Sequence, residues 1–388
     1  MKKKIEKNIT FVPFSKPFVP PNAKKYINAI LATGKLSGDH EFTKKCNLWL
    51  EKRLNTKKVL LTTSGTHALE MAALLINIVK GDEVIMSSYT FSSTANAFIL
   101  RGAKIVFVDI RPDTMNINEK LIEKAITPKT KAIVPVHYAG VGCAMDTILL
   151  LKKKYHLFII EDAAQSFMSR YKGKMLGTLG DIGCYSFHET KNYQCGEGGA
   201  IILNDSKFIK SAEIIREKGT NRSQFFRGEI DKYSWLKVGS SYLPSDLNAA
   251  LLYAQLEMAD QINENRLRSW NHYYSRFQDL EAKGYIELPN IPPECDHNAH
   301  SFYIKVKNLS ERSELIKYLK KSRIISLFHY IPLHSSEAGK NYGRFSGQDI
   351  HTTKESEKLL RLPLYFNMPI ASLERTCKTI IKYFTKVI

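Results

Sequence analysis

The chain has 388 residues, of which 44% are hydrophobic and 24% charged, the balance of an ordinary globular protein with room for two domains. Its formal net charge of +19 points to anionic partners, but the lysines are spread along the chain with no helix-turn-helix, zinc-finger or RNP-type motif, so no nucleic-acid partner is expected. No apolar run reaches the length of a membrane span, and the six scattered cysteines form no CxxC pair, so the expectation is a cytoplasmic protein with reduced thiols and neither a membrane anchor nor a metal site.

Residues 1–7 are a short basic tip. Pro13, Pro17, Pro20 and Pro21 interrupt the next segment, which makes a poor signal peptide and predicts an irregular arm over 1–22. A short helix is expected over 24–31 and a turn over 34–38. Residues 41–54 read as an amphipathic helix, with Phe42, Cys46, Trp49 and Leu50 at helical spacing. Strands then alternate with helices: strands at 59–61, 84–86, 105–108, 133–136 and 157–160, and helices at 68–79 and 145–154. An aromatic strand near Tyr185 leads into a loop, and an apolar strand comes next at 200–203. This alternation predicts an α/β domain over 1–250, built on a largely parallel sheet covered on both faces. The pattern then changes to a long helix over 245–277, with room for a break. After a proline-bounded linker at 289–293 come a strand at 302–306 and helices at 313–320 and 373–384, which predicts a smaller α+β domain over 251–388.

Four polar stretches, 62–66, 87–91, 161–165 and 188–191, each come just after a strand, and parallel sheets bind ligands beyond the carboxyl ends of their strands. Asp162 is either a structural carboxylate bonded to backbone or the partner of a protonated heteroaromatic nitrogen. Such a contact pair is worth about 4 kcal/mol at an effective dielectric near 20. Ser64-Gly65-Thr66 opens a helix, as a plain cap or as a cradle of free N–H groups for an anion, with Ser186 as a second donor. Tyr89 either stacks on a flat ring or belongs to the core. Lys191 lies in a loop closed by Gly196-Glu-Gly-Gly199. Held away from water, its pKa falls and its amine attacks a carbonyl; otherwise it is a solvated loop lysine. Together these parts suit pyridoxal 5'-phosphate held as a Schiff base.

Glu161-Asp-Ala-Ala-Gln165, Ser186-Phe-His-Glu-Thr-Lys191 and Gly196-Glu-Gly-Gly199 resemble the DegT/DnrJ/EryC1/StrS family of nucleotide-sugar aminotransferases. The resemblance runs from Pro13-Phe14 into the C-terminal domain. It implies the fold-type-I aminotransferase architecture, with a mostly parallel seven-stranded sheet, and a homodimer with active sites at the interface. It also implies roles. Lys191 holds the cofactor and moves a proton, and Asp162 pairs with the pyridinium nitrogen. Gln165 contacts the ring or its phenolic oxygen, and Tyr89 stacks on the ring. Gly65, Thr66 and Ser186 hold the phosphate. Many members carry Asn in the loop before Ser-Asp-Leu for a phosphate contact across the dimer; here Ser241 stands at that position and Leu243 where an Arg is common. Residues 91–96, 214–226 and 328–334 resemble the branch that makes dTDP-4-amino-4,6-dideoxy-D-galactose from dTDP-4-keto-6-deoxy-D-glucose, with L-glutamate as donor. In enteric bacteria that branch feeds enterobacterial common antigen. Candidate contacts to the sugar nucleotide are Arg222, Arg227, His329 and His334. Relatives that remove the sugar 3-hydroxyl replace the lysine by histidine, so Lys191 argues against that chemistry. Residue types leave open whether the amine arrives at C3, or at C4 with the opposite configuration.

Overall fold

The computed structural model describes residues 10–385, so the basic tip over 1–7 lies outside the described residues. Its large sheet has eight strands: β1 (Lys58–Thr62), β2 (Glu83–Ser87), β3 (Lys104–Val108), β4 (Thr130–Ile133), β5 (Phe158–Asp162), β6 (Ile182–Ser186), β7 (Gly199–Leu203) and β8 (Gly343–Phe345). Their order is β1-β7-β6-β5-β4-β2-β3-β8. The strands from β6 to β8 pair in parallel, and β7 is antiparallel to both its neighbours. The expected count of seven is therefore one short. The added strand comes from the C-terminal part of the chain and covers the open edge of β3.

Alternation along the strands buries both faces. Val84, Met86, Ile105, Phe107 and Ile160 pack toward the helices Gly65–Leu75 and Ser92–Ile99. Ile85, Val106, Ile133 and Ile159 pack toward the helices Glu119–Ala125 and Met145–Tyr155. β4 stops at Ile133, short of the expected 136, because Pro135 has no N–H for the ladder. Val136 still bridges to Asp162, and Pro135 O accepts from Asp162 N at 2.9 Å.

The expected long helix is two helices, Asp246–Glu257 and Ala259–Ala282, broken at Met258. The second joins two cores. Ala259 and Ile262 belong to the cluster beneath the N-terminal helices, whereas Trp270, Tyr273 and Phe277 pack in the smaller unit. That unit has a three-stranded antiparallel sheet, Phe302–Lys305, Leu359–Leu362 and Leu327–Phe328, under the helices Leu309–Lys321 and Ile370–Thr385. The described end of the arm is not loose. Val12 is fully buried and bridges to Ile324 of the smaller unit. All six cysteines are buried free thiols. Among the described residues no helix is long and apolar enough to cross a membrane, and no cluster of three or more His, Cys, Asp or Glu is placed to hold a metal.

Candidate active site

The carboxyl ends of β1, β2, β5 and β6 open onto one cavity of about 670 Å³. All four polar stretches contribute to it: Ser64, Gly65 and Thr66; Thr90 and Phe91; Asp162, Ala164 and Gln165; His188, Thr190 and Lys191. The opposite wall comes from the smaller unit, with His300, His329, Tyr330 and Arg361. The site thus lies where the two units meet.

Asp162 is the last residue of β5. Strand alternation places it on the same face as Ile160, toward the helix Ser92–Ile99. Thr94 Oγ1 of that helix donates to one carboxylate oxygen at 2.7 Å, and Ala164 N donates to the other at 3.1 Å. Asp162 is therefore aimed but not saturated. Its neighbour Glu161 points to the other face. There it accepts from the N–H groups of Gly177, Leu179 and Gly180 at 2.8, 2.7 and 2.6 Å and pairs with buried His137 at 2.9 Å. Glu161 is a structural carboxylate that holds the turn before β6.

Lys191 sits on the loop between β6 and β7, and its N–H donates to His188 O at 2.9 Å. Among the described residues its ammonium makes no hydrogen bond or ion pair with a protein group. Burial pushes its pKa down to about 8. The carboxylate of Asp162 pulls the other way, and the guanidinium of Arg361 adds to the depression. A lysine in this state is a nucleophile and a proton carrier near neutral pH.

The helix Gly65–Leu75 begins at the cavity, with Ser64 as its cap accepting from His67 N at 3.0 Å. Gly65 is required there: a Cβ would stand 2.8 Å from Ser186 Cβ. This close approach brings the helix N-terminus and the end of β6 together. Thr66 Oγ1 and Ser93 Oγ, 2.8 Å apart, complete a ring of hydroxyls and free N–H groups suited to a phosphate.

Gln165 is held from both sides. Its Oε1 accepts from Ala139 N at 2.7 Å, and its Nε2 donates to Tyr330 Oη at 3.0 Å. His300 and His329 are held neutral. For His300, burial chiefly lowers the pKa, helped by Lys191, Arg266 and Arg361. For His329, burial again dominates, helped by Arg361.

The DegT/DnrJ/EryC1/StrS aminotransferase family model matches residues 20–381. The chain belongs to this family. A relative from Methanocaldococcus jannaschii, the uncharacterized protein MJ1066, is 34% identical, with 92% of this chain and 94% of that protein covered. The spore coat polysaccharide biosynthesis protein SpsC of Bacillus subtilis is 32% identical, with coverage of 94% and 95%. Among solved structures, Spr1654 from Streptococcus pneumoniae in its PLP form superposes with a TM-score of 0.87 at 26% identity, covering 98% of this chain and 100% of that one. The protein is therefore a sugar aminotransferase of the DegT/DnrJ/EryC1/StrS family with the fold of pyridoxal-phosphate aminotransferases, and pyridoxal phosphate is its cofactor. The donor set fits that group. An anion cradle, an aimed carboxylate and an unpaired lysine of lowered pKa face one cavity.

Within this aminotransferase several expected contacts move. Tyr89 does not face the cavity. It is fully buried, edge-on to Tyr138 and Tyr330, because the chain turns inward after β2. The aromatic ring that lines the cavity is Phe91, 60% exposed, at the head of the helix Ser92–Ile99. Arg222 and Arg227 do not reach the site of their own chain. Arg222 lies over the Phe226 ring, and Arg227 is ion-paired with Glu213 and Glu229. His334 is also taken up elsewhere, between Ser88 Oγ at 2.8 Å and Asp349 at 3.0 Å. Of the four sugar-nucleotide candidates only His329 lines the cavity. Ser241 is exposed outside its own chain's cavity and bridges to Glu217. Sequence reasoning passed over Thr94, Tyr330 and Arg361. Thr94 lies inside the Phe91–Asn96 stretch, but nothing in that stretch tells which hydroxyl meets Asp162.

Proposed function

We propose that this aminotransferase moves the amino group of L-glutamate to C4 of dTDP-4-keto-6-deoxy-D-glucose. The products would be dTDP-4-amino-4,6-dideoxy-D-galactose and 2-oxoglutarate, the sugar serving a cell-surface polysaccharide of the enterobacterial common antigen type. The observation that carries the reaction type is the convergence of Lys191, at a pKa of about 8, with Asp162 in one cavity. The sugar assignment is supported by the branch-like stretches over 91–96, 214–226 and 328–334. The name of SpsC, which refers to spore coat polysaccharide, supports a surface glycan.

In this reading the N-terminus of the helix Gly65–Leu75, with Gly65, Thr66 and Ser186, holds the cofactor phosphate. Asp162, oriented by Thr94, pairs with the pyridine nitrogen and keeps it protonated. Gln165, fixed by Ala139 and Tyr330, presents its amide edge to the ring. Pyridoxal phosphate supplies the electron sink when a proton leaves the amino-bearing carbon. The free amine of Lys191 takes that proton from the donor and returns one to the sugar carbon. A pKa near 8 leaves both protonation states populated for this exchange. From the smaller unit, Leu327 and Leu364 add apolar lining to the cavity.

The enzyme works as a homodimer in this proposal. Support comes from the exposed apolar side chains of Phe226, Trp235, Leu236 and Val238, with Trp235 76% exposed, on the segment that leads to Ser241. A partner subunit seated there would bring Ser241 toward the other phosphate cradle.

The test is a product analysis. The purified enzyme is incubated with pyridoxal phosphate, L-glutamate and dTDP-4-keto-6-deoxy-D-glucose, and the proton couplings at C4 are read by NMR. An axial amine is expected. An equatorial amine would overturn the galacto assignment and keep the chemistry. An amino sugar formed at C3, or none at all, would overturn the substrate.

A further inference from the structure

Two arginines line the cavity, and the reaction so far described uses neither. Arg361 lies in the strand Leu359–Leu362 of the smaller sheet. Its neighbours Leu360 and Leu362 are buried in that unit's core, so alternation turns Arg361 to the opposite face, toward the cavity. The guanidinium rests over the Phe14 ring at 4.9 Å, and one Nη donates to Phe328 O at 3.3 Å. Its Nε is buried without a partner. Among the described residues no carboxylate is ion-paired with it. Arg266, the other arginine at the cavity, is spent: it donates to the carbonyls of Ala299, His300 and Leu364 at 2.9 to 3.3 Å. The half-buried guanidinium thus has donors free at the cavity, where an anion would complete them.

We propose that Arg361 binds a carboxylate of the amino-acid donor. Two anions reach this cavity in the proposed reaction, and geometry separates them. In the donor, a carboxylate is bonded directly to the reacting carbon or joined to it by a short methylene arm. In the sugar nucleotide, the ring itself stands between the reacting C4 and the first phosphorus. Arg361 lines the same cavity as Lys191, and its charge is felt at that lysine, which favours the anion attached nearest the reacting carbon. The planar fork of a guanidinium matches a carboxylate with two parallel bonds. This assignment deepens the proposed function. Only its comparison of anions rests on the sugar.

The test uses the holoenzyme and two variants, Arg361→Met and Arg361→Lys. The donor half-reaction is followed with L-glutamate alone by the change in cofactor absorbance. Binding of maleate, a dicarboxylate without an amine, is measured by calorimetry. In Arg361→Met the apparent Kd for glutamate is expected to rise about a hundredfold, the loss of a bidentate charge-assisted pair. Maleate binding weakens in parallel. The rate at saturating glutamate and the affinity of the pyridoxamine form for the sugar nucleotide stay within a few fold. Arg361→Lys keeps the charge, loses the fork, and shows a rise of about tenfold. That shift carries the test if the methionine variant does not fold. Weaker sugar-nucleotide binding with an intact donor step would reassign Arg361 to the diphosphate. Unchanged glutamate and maleate affinity would reduce it to a structural residue. The donor step needs no sugar, so a wrong sugar shows as missing product while the Arg361 effect remains readable.

Discussion

Two lysines removed from solvent show how differently the two units treat a cation. Lys305, in the smaller sheet, is 3% exposed and fully matched. It donates to Glu355 at 2.8 Å and to Pro112 O at 2.7 Å, and pairs with Glu287 at 2.8 Å. Lys191, on the cavity floor, has no protein partner for its ammonium among the described residues, and burial lowers its pKa to about 8. A cation whose task is to hold structure is given carboxylates, because a lone buried charge is costly. A lysine whose task is chemistry is denied them, because the neutral amine is the reactive form.

The contrast has measurable consequences. The largest concerns Lys191. Lys191→Ala should lower transamination by about four orders of magnitude or more, through loss of the nucleophile and proton carrier, with the circular dichroism spectrum and thermal midpoint retained. Undiminished turnover would show that the lysine is a bystander. The next effect is on stability. Lys305→Met removes the buried cation between Glu355 and Glu287, leaving them only Lys358 at 3.2 and 3.5 Å, and should cost about 3 kcal/mol in denaturant unfolding. The turnover of the folded fraction should be unchanged, because Lys305 lies outside the cavity. A variant as stable as the parent would mean that the buried pair adds nothing over apolar packing.

The smallest effect is a pH dependence. The folded pKa of Lys191, about 8, lies below that of an unfolded lysine, about 10.4. Below pH 8 both states are protonated, and the apoprotein carries the whole cost of the desolvated charge. Between the two values the folded state has lost the proton and the unfolded state still holds it, so stability rises with pH. Lys191→Met apoprotein should therefore melt above the parent at pH 7, and the gap should narrow as the pH passes 8. A gap independent of pH would mean that the lysine is solvated.

Much of the site was legible in chain order. Asp162 and Lys191 each come at or just after the end of an apolar strand, and in a parallel sheet that position leads to the carboxyl edge where ligands bind. The Ser64-Gly65-Thr66 run marked a helix opening that can cradle an anion, whereas the structure shows Gly199 packed on Ser64, where a Cβ would stand 2.4 Å away. Choosing Phe91 over Tyr89 was not possible from the same five residues. Both are aromatic, and the path of the loop decides which ring meets the tyrosine cluster and which meets the cavity. Arg222, Arg227 and His334 looked available as residue types, yet Phe226, Glu213, Glu229, Ser88 and Asp349 occupy them. Glu213, Ser88 and Asp349 lie on other elements, so spacing could not announce them, whereas Phe226 and Glu229 are local partners, four and two residues along the chain.

By itself the sequence determined the α/β order, the place of Asp162 at the carboxyl edge of the sheet, the loop that carries Lys191 and the family to which the chain belongs. These rest on local periodicity and short motifs, which need no distant partner. The tertiary structure alone decided that β8 returns from the C-terminal part to close the large sheet. It alone brought Thr94 to Asp162 and turned Arg361 from the smaller sheet into the cavity. Each of these depends on packing between residues far apart in the chain, which local periodicity does not encode.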